Sequence, residues 1–320
     1  MKTLILLSTR FPTERYLIKS IKEKDVDIRS IYTFKRHDIH YKIAKMYMAV
    51  LKLPYQSIWY GSWKRSLDEY DRIILHNSLI DKNIMDYIWE ESPNARHIVW
   101  NWDKIGKDNY FRIDEKYRQK WEIWTFDTED CKEYGYSKNV QFYFPEKWVR
   151  DCSIKYDLFI CLKDKGRYNT VCSWIQIFNY AGLNSFIRVV PDYSSKNKHS
   201  AYYGKELSYD EVLLYTSKSR CLVEIVKEEQ KGLSLRTMES IFYDKKLITN
   251  NIAIKEEEFY DHNNIYIMTE STRKEDIIGF MQRPYIPVPE YVKAKHTFQS
   301  WLSNFERPGN IQLAFEGVYE

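Results

Sequence analysis

Short hydrophobic runs alternate with amphipathic stretches along most of this chain. In the first half, runs at 3–7, 72–75, 96–100, 122–126 and 140–144 are typical of buried strands. The stretch 81–91 carries Ile84, Tyr87 and Ile88 at helical spacing. Strands that alternate with helices predict a parallel α/β sheet.

A second series of the same kind begins near residue 157. It predicts strands at 157–162, 186–190, 220–225, 247–249 and 264–268, and helices at 169–181, 209–216, 234–244 and 290–303. Two such series indicate two Rossmann-like α/β domains facing a cleft. We expect an amino-terminal domain at 1–150, a second domain at 151–305 that ends in a helix, and a tail at 306–320.

The loop after the first strand of the second series reads Asp164-Lys165-Gly166-Arg167. In open α/β sheets, ligands bind at the carboxyl ends of the strands. Gly166 permits close approach of the backbone, and Lys165 and Arg167 offer two positive groups, so the loop suits a phosphate. A charged surface turn is the alternative interpretation.

A further phosphate candidate lies at 230–239. Gly232 precedes the predicted helix, Ser234 can cap it, and the backbone N–H groups at a helix start favour anions. Arg236 adds a positive charge, and Glu239 can accept hydrogen bonds from a ribose. The alternative is a simple surface ion pair between Arg236 and Glu239, worth roughly 0.3–0.5 kcal/mol.

Polar residues at predicted strand ends in the first half are candidates for a general base or an acceptor-binding group: Arg10, His76, Asp103 and Asp127. Each also has a purely structural explanation. We favour Asp103 as the base because it directly follows Trp102 at a strand end. Burial beside apolar groups raises the pKa of a carboxyl toward working pH.

Composition narrows the class of protein. The 320 residues are 44% hydrophobic and 29% charged, as in soluble globular proteins, and no apolar run reaches the roughly 18 residues of a membrane span. The five cysteines lack metal-site spacing, so we expect reduced thiols in a cytoplasmic protein. The net charge of +4 is interspersed with acidic residues. This disfavours a nucleic-acid partner and leaves open a weak attraction to an anionic membrane surface.

Several well-known motifs are missing from the chain. It contains neither the glycine fingerprint of dinucleotide-binding folds nor the Walker lysine motif. It also lacks the zinc-protease helix motif and the nucleophile elbow of α/β-hydrolases. Phosphate chemistry would therefore use basic side chains and helix dipoles, and we expect neither a metal nor a resident cofactor.

The segments 164–167, 232–239 and 246–251 resemble a group of bacterial proteins of lipopolysaccharide core and surface-polysaccharide biosynthesis. The resemblance covers about 157–301, and the group is similar to glycosyltransferases of the GT-B fold. It implies that the second domain holds a nucleotide-sugar donor, with Glu239 on the ribose and Lys165, Arg167 and Arg236 on the diphosphate. The two-glutamate pattern of such enzymes is incomplete, because Lys231 stands where the first glutamate belongs. The stereochemistry and the nucleotide therefore stay open.

These features lead to the hypothesis of a cytoplasmic, metal-independent glycosyltransferase, at most peripheral to the membrane. It would transfer a sugar to lipopolysaccharide, capsule or a related lipid-linked glycan. The expected donor-binding residues are Lys165, Gly166, Arg167, Gly232, Ser234, Arg236 and Glu239, with Asp103 as the catalytic base. One alternative is a sugar-nucleotide epimerase of similar fold, which needs no acceptor. Another is a non-enzymatic glycan-binding protein, which would bind no nucleotide.

Overall fold

The computed structural model describes residues 1–9, 11–33, 43, 46–47, 56–77, 82–105, 113–150, 152–195, 200–227 and 232–310. The chain divides into two compact units, of which the first comprises Met1–Asn139 and Phe305–Glu320 and the second Val140–Asn304. The sequence placed this division at residue 150, about ten residues later than the compact units do.

The first unit is built on a parallel sheet of six strands. Its elements are β1 (Thr3–Leu7), α1 (Pro12–Ser20), β2 (Val26–Ser30), β3 (Arg72–His76), α2 (Lys82–Glu91), β4 (Arg96–Asn101), β5 (Glu122–Thr125), α3 (Thr128–Tyr134) and β6 (Ser137–Lys138). The strand order is β2-β1-β3-β4-β5-β6, and each neighbouring pair is parallel. Every residue of β1 and β3 is buried, because helices cover both faces of such a sheet.

The second unit carries a parallel sheet of five strands. Its elements are β7 (Tyr156–Lys163), α4 (Tyr168–Tyr180), β8 (Ser185–Val190), α5 (Tyr209–Ser217), β9 (Ser219–Val223), α6 (Leu235–Phe242), β10 (Lys246–Thr249), β11 (Ile265–Ile267), α7 (Lys274–Gln282), α8 (Glu290–Ala294) and α9 (Phe298–Asn304). The order is β11-β10-β9-β7-β8, again parallel throughout. The two Rossmann-like sheets expected from the sequence are confirmed.

Two predicted elements are wrong in detail. The segment 140–144 is not a strand of the first sheet; Tyr143 makes an isolated parallel bridge to Thr297 inside the second unit. The predicted terminal helix at 290–303 is two helices, α8 and α9. The hydroxyl of Thr297 accepts from the Ser300 N–H at 3.2 Å and so begins a new helix there.

The chain returns to the first unit after α9. Phe305 is fully buried, and Arg96 donates to the Arg307 carbonyl at 2.7 Å. The Gly309 N–H donates to Glu122 at 2.7 Å. The described part of the expected tail, 306–310, is therefore packed on the first sheet, while 311–320 lie outside the described residues.

Candidate functional site

Four segments of the second unit meet at the carboxyl edge of its sheet. They are the loop 164–167 after β7, the segment 224–227 after β9, the start of α6 at 232–234 and the asparagines 250–251 after β10. Ligands of open α/β folds bind at this edge. Direct hydrogen bonds join the segment after β9 to each of the other three.

Asp164 anchors the first of these segments. Its side chain is 2% exposed and accepts hydrogen bonds from the Tyr168 N–H at 3.0 Å, Ser195 Oγ at 2.6 Å and the Tyr203 hydroxyl at 2.5 Å. Burial by itself would raise the pKa of Asp164, but these hydrogen bonds outweigh burial and lower it. The carboxylate therefore stays ionised and holds the loop in one conformation.

Lys165 and Gly166 form a left-handed turn that is open to solvent. Their φ angles are 45° and 81°, and both residues are exposed. The Lys165 N–H donates to Asp192 at 2.9 Å, which fixes the turn from the β8 side. A side chain built on Gly166 would meet nothing within 4 Å, so a ligand can approach the backbone here.

Arg167 does not point into this open space. Its guanidinium donates to the backbone carbonyls of Asp164 at 3.2 Å and Lys163 at 2.5 Å, and also to the carbonyl of Ile225. Burial lowers the pKa of this guanidinium, while nearby carboxylates act to raise it. Arg167 thus ties the loop after β7 to the segment after β9, and contact with a phosphate stays a prediction for it.

Glu224 organises the start of α6 and was not identified from the sequence. This carboxylate, 5% exposed, accepts from Thr237 Oγ1 at 2.8 Å, Thr249 Oγ1 at 2.5 Å and Ser234 Oγ. Ser234 Oγ in turn accepts from the Arg236 N–H at 2.9 Å, so the expected helix cap is confirmed. An acid directly after a buried strand, with hydroxyl residues nearby in sequence, was the signal that could have revealed it.

The asparagines after β10 complete the edge. The Val226 N–H donates to the side chain of Asn250 at 2.8 Å, and that side chain donates back to the Val226 carbonyl at 3.0 Å. Asn251 donates to the carbonyl of Gly232 at 3.3 Å. Gly232 is buried in this contact, so it supports the loop before α6 through its carbonyl.

Arg236 and Glu239 face the interior of the second unit. Glu239 accepts from Arg236 Nη1 and from the Tyr209 hydroxyl at 3.0 Å. Arg236 also lies over the Phe159 ring of β7, with 4.7 Å from its guanidinium carbon to the ring centroid. The interpretation as a surface ion pair is wrong, because the two side chains are only 12% and 2% exposed.

The protonation of this pair follows from its burial. Burial raises the pKa of Glu239, while Arg236 and Tyr209 oppose that rise. Burial would lower the pKa of Arg236, but the adjacent Glu239 outweighs it and the pKa is raised. The pair locks α6 against β7 and α5, and direct contact of either side chain with a ligand stays a prediction.

In the first unit, the polar strand ends occupy different environments. Asp103 is exposed at a bend after β4, so the burial expected for it is not found. Asp127 is fully buried and caps α3, accepting from the Glu129 N–H at 2.9 Å and the Asp130 N–H at 3.1 Å. His76 is 5% exposed at the end of β3. Arg10 lies outside the described residues.

An Asp-x-Asp spacing, which often holds metal-bound diphosphates, occurs once, at Asp25 and Asp27. It lies before and within β2, beside a cavity of about 500 Å³ at the amino edge of the first sheet. Asp27 accepts from the Tyr70 hydroxyl at 2.8 Å and from Arg29 at 3.0 Å. Among the described residues, no cluster of three or more acidic, histidine or cysteine side chains could hold a metal ion.

Within the same described ranges, no helix is both long and apolar enough to cross a membrane.

Comparisons with known proteins complete this picture. Neither a protein-family model nor a curated protein matches the sequence. Among solved structures, the chain is similar to the DNA-modifying enzyme β-glucosyltransferase, with a TM-score of 0.51 and 12% identity over 96% of this chain and 98% of that chain. It is also similar to UDP-GlcNAc 2-epimerase from Methanocaldococcus jannaschii, with a TM-score of 0.49 and 12% identity over 96% and 99% of the two chains. A glycosyltransferase of lipopolysaccharide biosynthesis, WaaG, has a TM-score of 0.45 and 12% identity over 95% of both chains.

At 12% identity, the likeness to β-glucosyltransferase establishes the fold and nothing about substrates. That fold is the GT-B arrangement of two Rossmann-like domains, which the sequence predicted.

Proposed function

We propose that this protein is a glycosyltransferase that binds a nucleotide-sugar at the carboxyl edge of the second sheet. The observation that carries the proposal is the open left-handed turn at Lys165 and Gly166, immediately before the 13-residue helix α4. Gly166 lets a ligand approach the backbone here, and the positive charge of Lys165 and the dipole of α4 attract an anion. A sugar diphosphate supplies such an anion.

Each expected donor-binding residue has a role in this proposal. Lys165 and the backbone at Gly166 contact the diphosphate, and Lys165 stabilises the negative charge that grows on the leaving phosphate. Gly232 and Ser234 present the start of α6 to the same ligand. Arg167, Arg236 and Glu239 hold these segments in place through the buried contacts described above.

The acceptor is proposed to be a lipid-linked or surface glycan, such as lipopolysaccharide or capsule, modified on the cytoplasmic side of the membrane. Support for this narrower assignment comes from the resemblance of 164–167, 232–239 and 246–251 to surface-polysaccharide biosynthesis proteins. Asp103, on the first unit, is the carboxylate that we assigned as general base from its position after β4. Neither a metal ion nor a resident cofactor is part of the proposed reaction.

A thermal-shift screen tests the donor site. The full chain is mixed with UDP, GDP, TDP and CMP and with their sugar conjugates, and a nucleotide-sugar is expected to raise the melting temperature. Lys165→Ala should weaken that shift. Lys155→Ala is the matched control, because Lys155 is an exposed lysine just before β7, at the opposite edge of the same sheet. If no nucleotide stabilises the protein, the proposed function is wrong.

Product analysis then separates the reactions. Incubation with the bound nucleotide-sugar alone would yield an epimerised nucleotide-sugar from an epimerase, whereas a glycosyltransferase requires an acceptor to form its product. Lipooligosaccharide and duplex DNA serve as the two acceptor arms. Transfer to lipooligosaccharide supports the glycan assignment, and transfer to DNA alone would replace it.

A further inference from the structure

The outer edge of β2 is open in the part of the chain that the structure describes. β2 is the terminal strand of the six-stranded sheet and pairs in parallel with β1. Within the described ranges, neither a strand nor an isolated bridge pairs with residues 26–30 from the other side. An edge of this kind presents backbone N–H and C=O groups to which a further strand can add.

One face of β2 carries two charges of opposite sign. Asp27 and Arg29 are two positions apart, so they lie on the same face of the strand, with 3.0 Å between Arg29 Nη2 and Asp27 Oδ1. Their side chains are 33% and 57% exposed, so both charges remain accessible. Asp27 also accepts from the Tyr70 hydroxyl at 2.8 Å, which holds its carboxylate on this face.

The other face of β2 is apolar and borders a groove. Val26 and Ile28 lie on this face, and they line the cavity of about 500 Å³ together with Ile18 and Ile21 at the end of α1. Ile18, Ile21 and Val26 are only half-buried. The open edge of the strand therefore has a charged face on one side and an apolar face on the other.

The sequence of β2 is self-complementary when two copies of the strand run antiparallel. With Ile28 opposite Ile28 of the second copy, Asp27 of each strand lies opposite Arg29 of the other. A shift of one residue would put Asp27 on the same face as the isoleucine of the other strand. A shift of two residues would set Asp27 opposite Asp27 or Arg29 opposite Arg29, and like charges directly opposite each other destabilise a strand pair. One register thus satisfies both faces.

We propose that two copies of this chain associate through β2, antiparallel and centred on Ile28, so that their six-stranded sheets join into one. The contact is isologous, because the same five residues of each copy meet about a twofold axis. Charges on an edge strand usually keep other strands away, but here the two signs match each other across the axis. The half-buried Ile18 and Ile21 of each copy gain cover from the second copy. This inference does not depend on the proposed function.

Light scattering after size exclusion, over a concentration series of the full chain at low salt, tests the proposal. The mass should approach twice the 38.9 kDa of one chain as concentration rises. Asp27→Arg and Arg29→Asp each set like charges opposite each other, so each should raise the Kd of the dimer by roughly tenfold or more. Arg220→Asp is the matched control: Arg220 pairs with Asp157 at 3.2 Å on the second sheet and is 52% exposed. It should dimerise as wild type does.

Two rescue experiments guard against misfolding of the variants. Asp27→Arg leaves two arginines on the face and Arg29→Asp leaves two aspartates, so an equimolar mixture should form a heterodimer although neither variant pairs with itself. The double variant Asp27→Arg/Arg29→Asp exchanges the charges and should dimerise again. The inference is overturned by a wild type that stays monomeric at every concentration, by Arg29→Asp with the Kd of wild type, or by a mixture that stays monomeric. No nucleotide or sugar is present, so these outcomes leave the proposed function to its own screen.

Discussion

Arg236 and Glu239 form an ion pair on α6 that is almost entirely enclosed, with side chains 12% and 2% exposed. Tyr209 adds a hydrogen bond of 3.0 Å to the Glu239 carboxylate. Both oxygens of this carboxylate are therefore engaged inside the second unit. The pair links α6 to α5 and β7, so it fixes the position of the α6 start, which belongs to the proposed donor site.

The main effect of Arg236→Ala should be a lower free energy of unfolding, and its effect on ligand affinity should be smaller. Removing one partner of a buried pair leaves an uncompensated charge and typically costs about 3–5 kcal/mol. Chemical denaturation measures this loss. Arg220→Ala is the control, since Arg220 pairs with Asp157 at 52% and 26% exposure. An exposed pair contributes at most about 1 kcal/mol. Equal losses in the two variants would contradict the buried role.

Lys165→Gly should separate stability from binding. The lysine holds a φ of 45°, a conformation that costs a non-glycine residue about 1–2 kcal/mol and glycine far less. The substitution should leave the free energy of unfolding within about 1 kcal/mol of wild type, because strain relief offsets the added chain entropy. Nucleotide affinity should fall by roughly tenfold with the loss of the charge. Calorimetric titration measures the affinity, and unchanged binding would exclude Lys165 from the site.

Ser234→Ala should lower the free energy of unfolding by more than the loss of a helix cap alone. Loss of a serine cap costs about 1 kcal/mol, and this serine also donates to the buried Glu224. Ser208→Ala is the matched control, because Ser208 caps α5 in an exposed capping box with Glu211. Thermal unfolding should show the larger loss for Ser234→Ala. Nucleotide binding should weaken in that variant alone; an equal effect of both changes would argue against a role for α6.

Asp130→Asn should stabilise the first unit at neutral pH. Burial raises the pKa of Asp130 to about 6, against the effect of the Ile105 N–H hydrogen bond. The folded pKa exceeds the unfolded value, so the stabilisation from this group is complete below pH 4 and is lost as pH rises through 6. The loss is about 3 kcal/mol at most. Melting temperatures from pH 4 to 8 should fall less steeply for Asp130→Asn, and parallel curves would refute the prediction.

The contribution of His97 to stability should depend on pH with the opposite sign to that of Asp130. Burial lowers its pKa to about 4, so its contribution is complete above pH 6.5 and is lost as pH falls through 4. His97→Gln removes the charge that must otherwise be buried between Trp89 and Trp121 at low pH. We expect a lower stability at pH 7 but a flatter decline between pH 6.5 and 4. Acid unfolding curves followed by tryptophan fluorescence measure the stability at pH 7 and its decline at lower pH. If stability declines as steeply in His97→Gln as in wild type, the lowered pKa of His97 does not contribute to the acid sensitivity.

The sequence located four of the six strands of the first sheet and all five strands of the second, but it missed β2, β6 and several helices. The cores of β1, β3, β4, β7 and β9 are continuous apolar runs, which local hydrophobic pattern identifies directly. β2 was missed because it is a half-buried edge strand with Asp27 and Arg29 among its five residues. α1 was missed because its residues are mostly polar, although Pro12 at its start and Glu14, which accepts from the Phe11 N–H, are local signals of a helix beginning.

For the candidate site, the sequence predicted the position of the loop 164–167 between a strand and a helix and the Ser234 cap, because glycines, caps and strand ends are local signals. It did not reveal the internal partners of the charged side chains, whose contact with a ligand stays a prediction. Arg167, Arg236 and Glu239 are spaced like ligand contacts, yet each is held by buried partners such as Ile225, Cys161 and Tyr209.

The sequence by itself therefore determined two parallel α/β domains and the open turn at Lys165 and Gly166. The two domains follow from the periodicity of hydrophobic residues, and the turn follows from the conformational freedom of glycine. Both signals can be read from a few neighbouring residues. Only the tertiary structure decided which charges are exposed, that Phe305–Asn310 return to the first sheet, and that Glu14 meets His76. These depend on strand order and packing, which bring together residues tens or hundreds of positions apart.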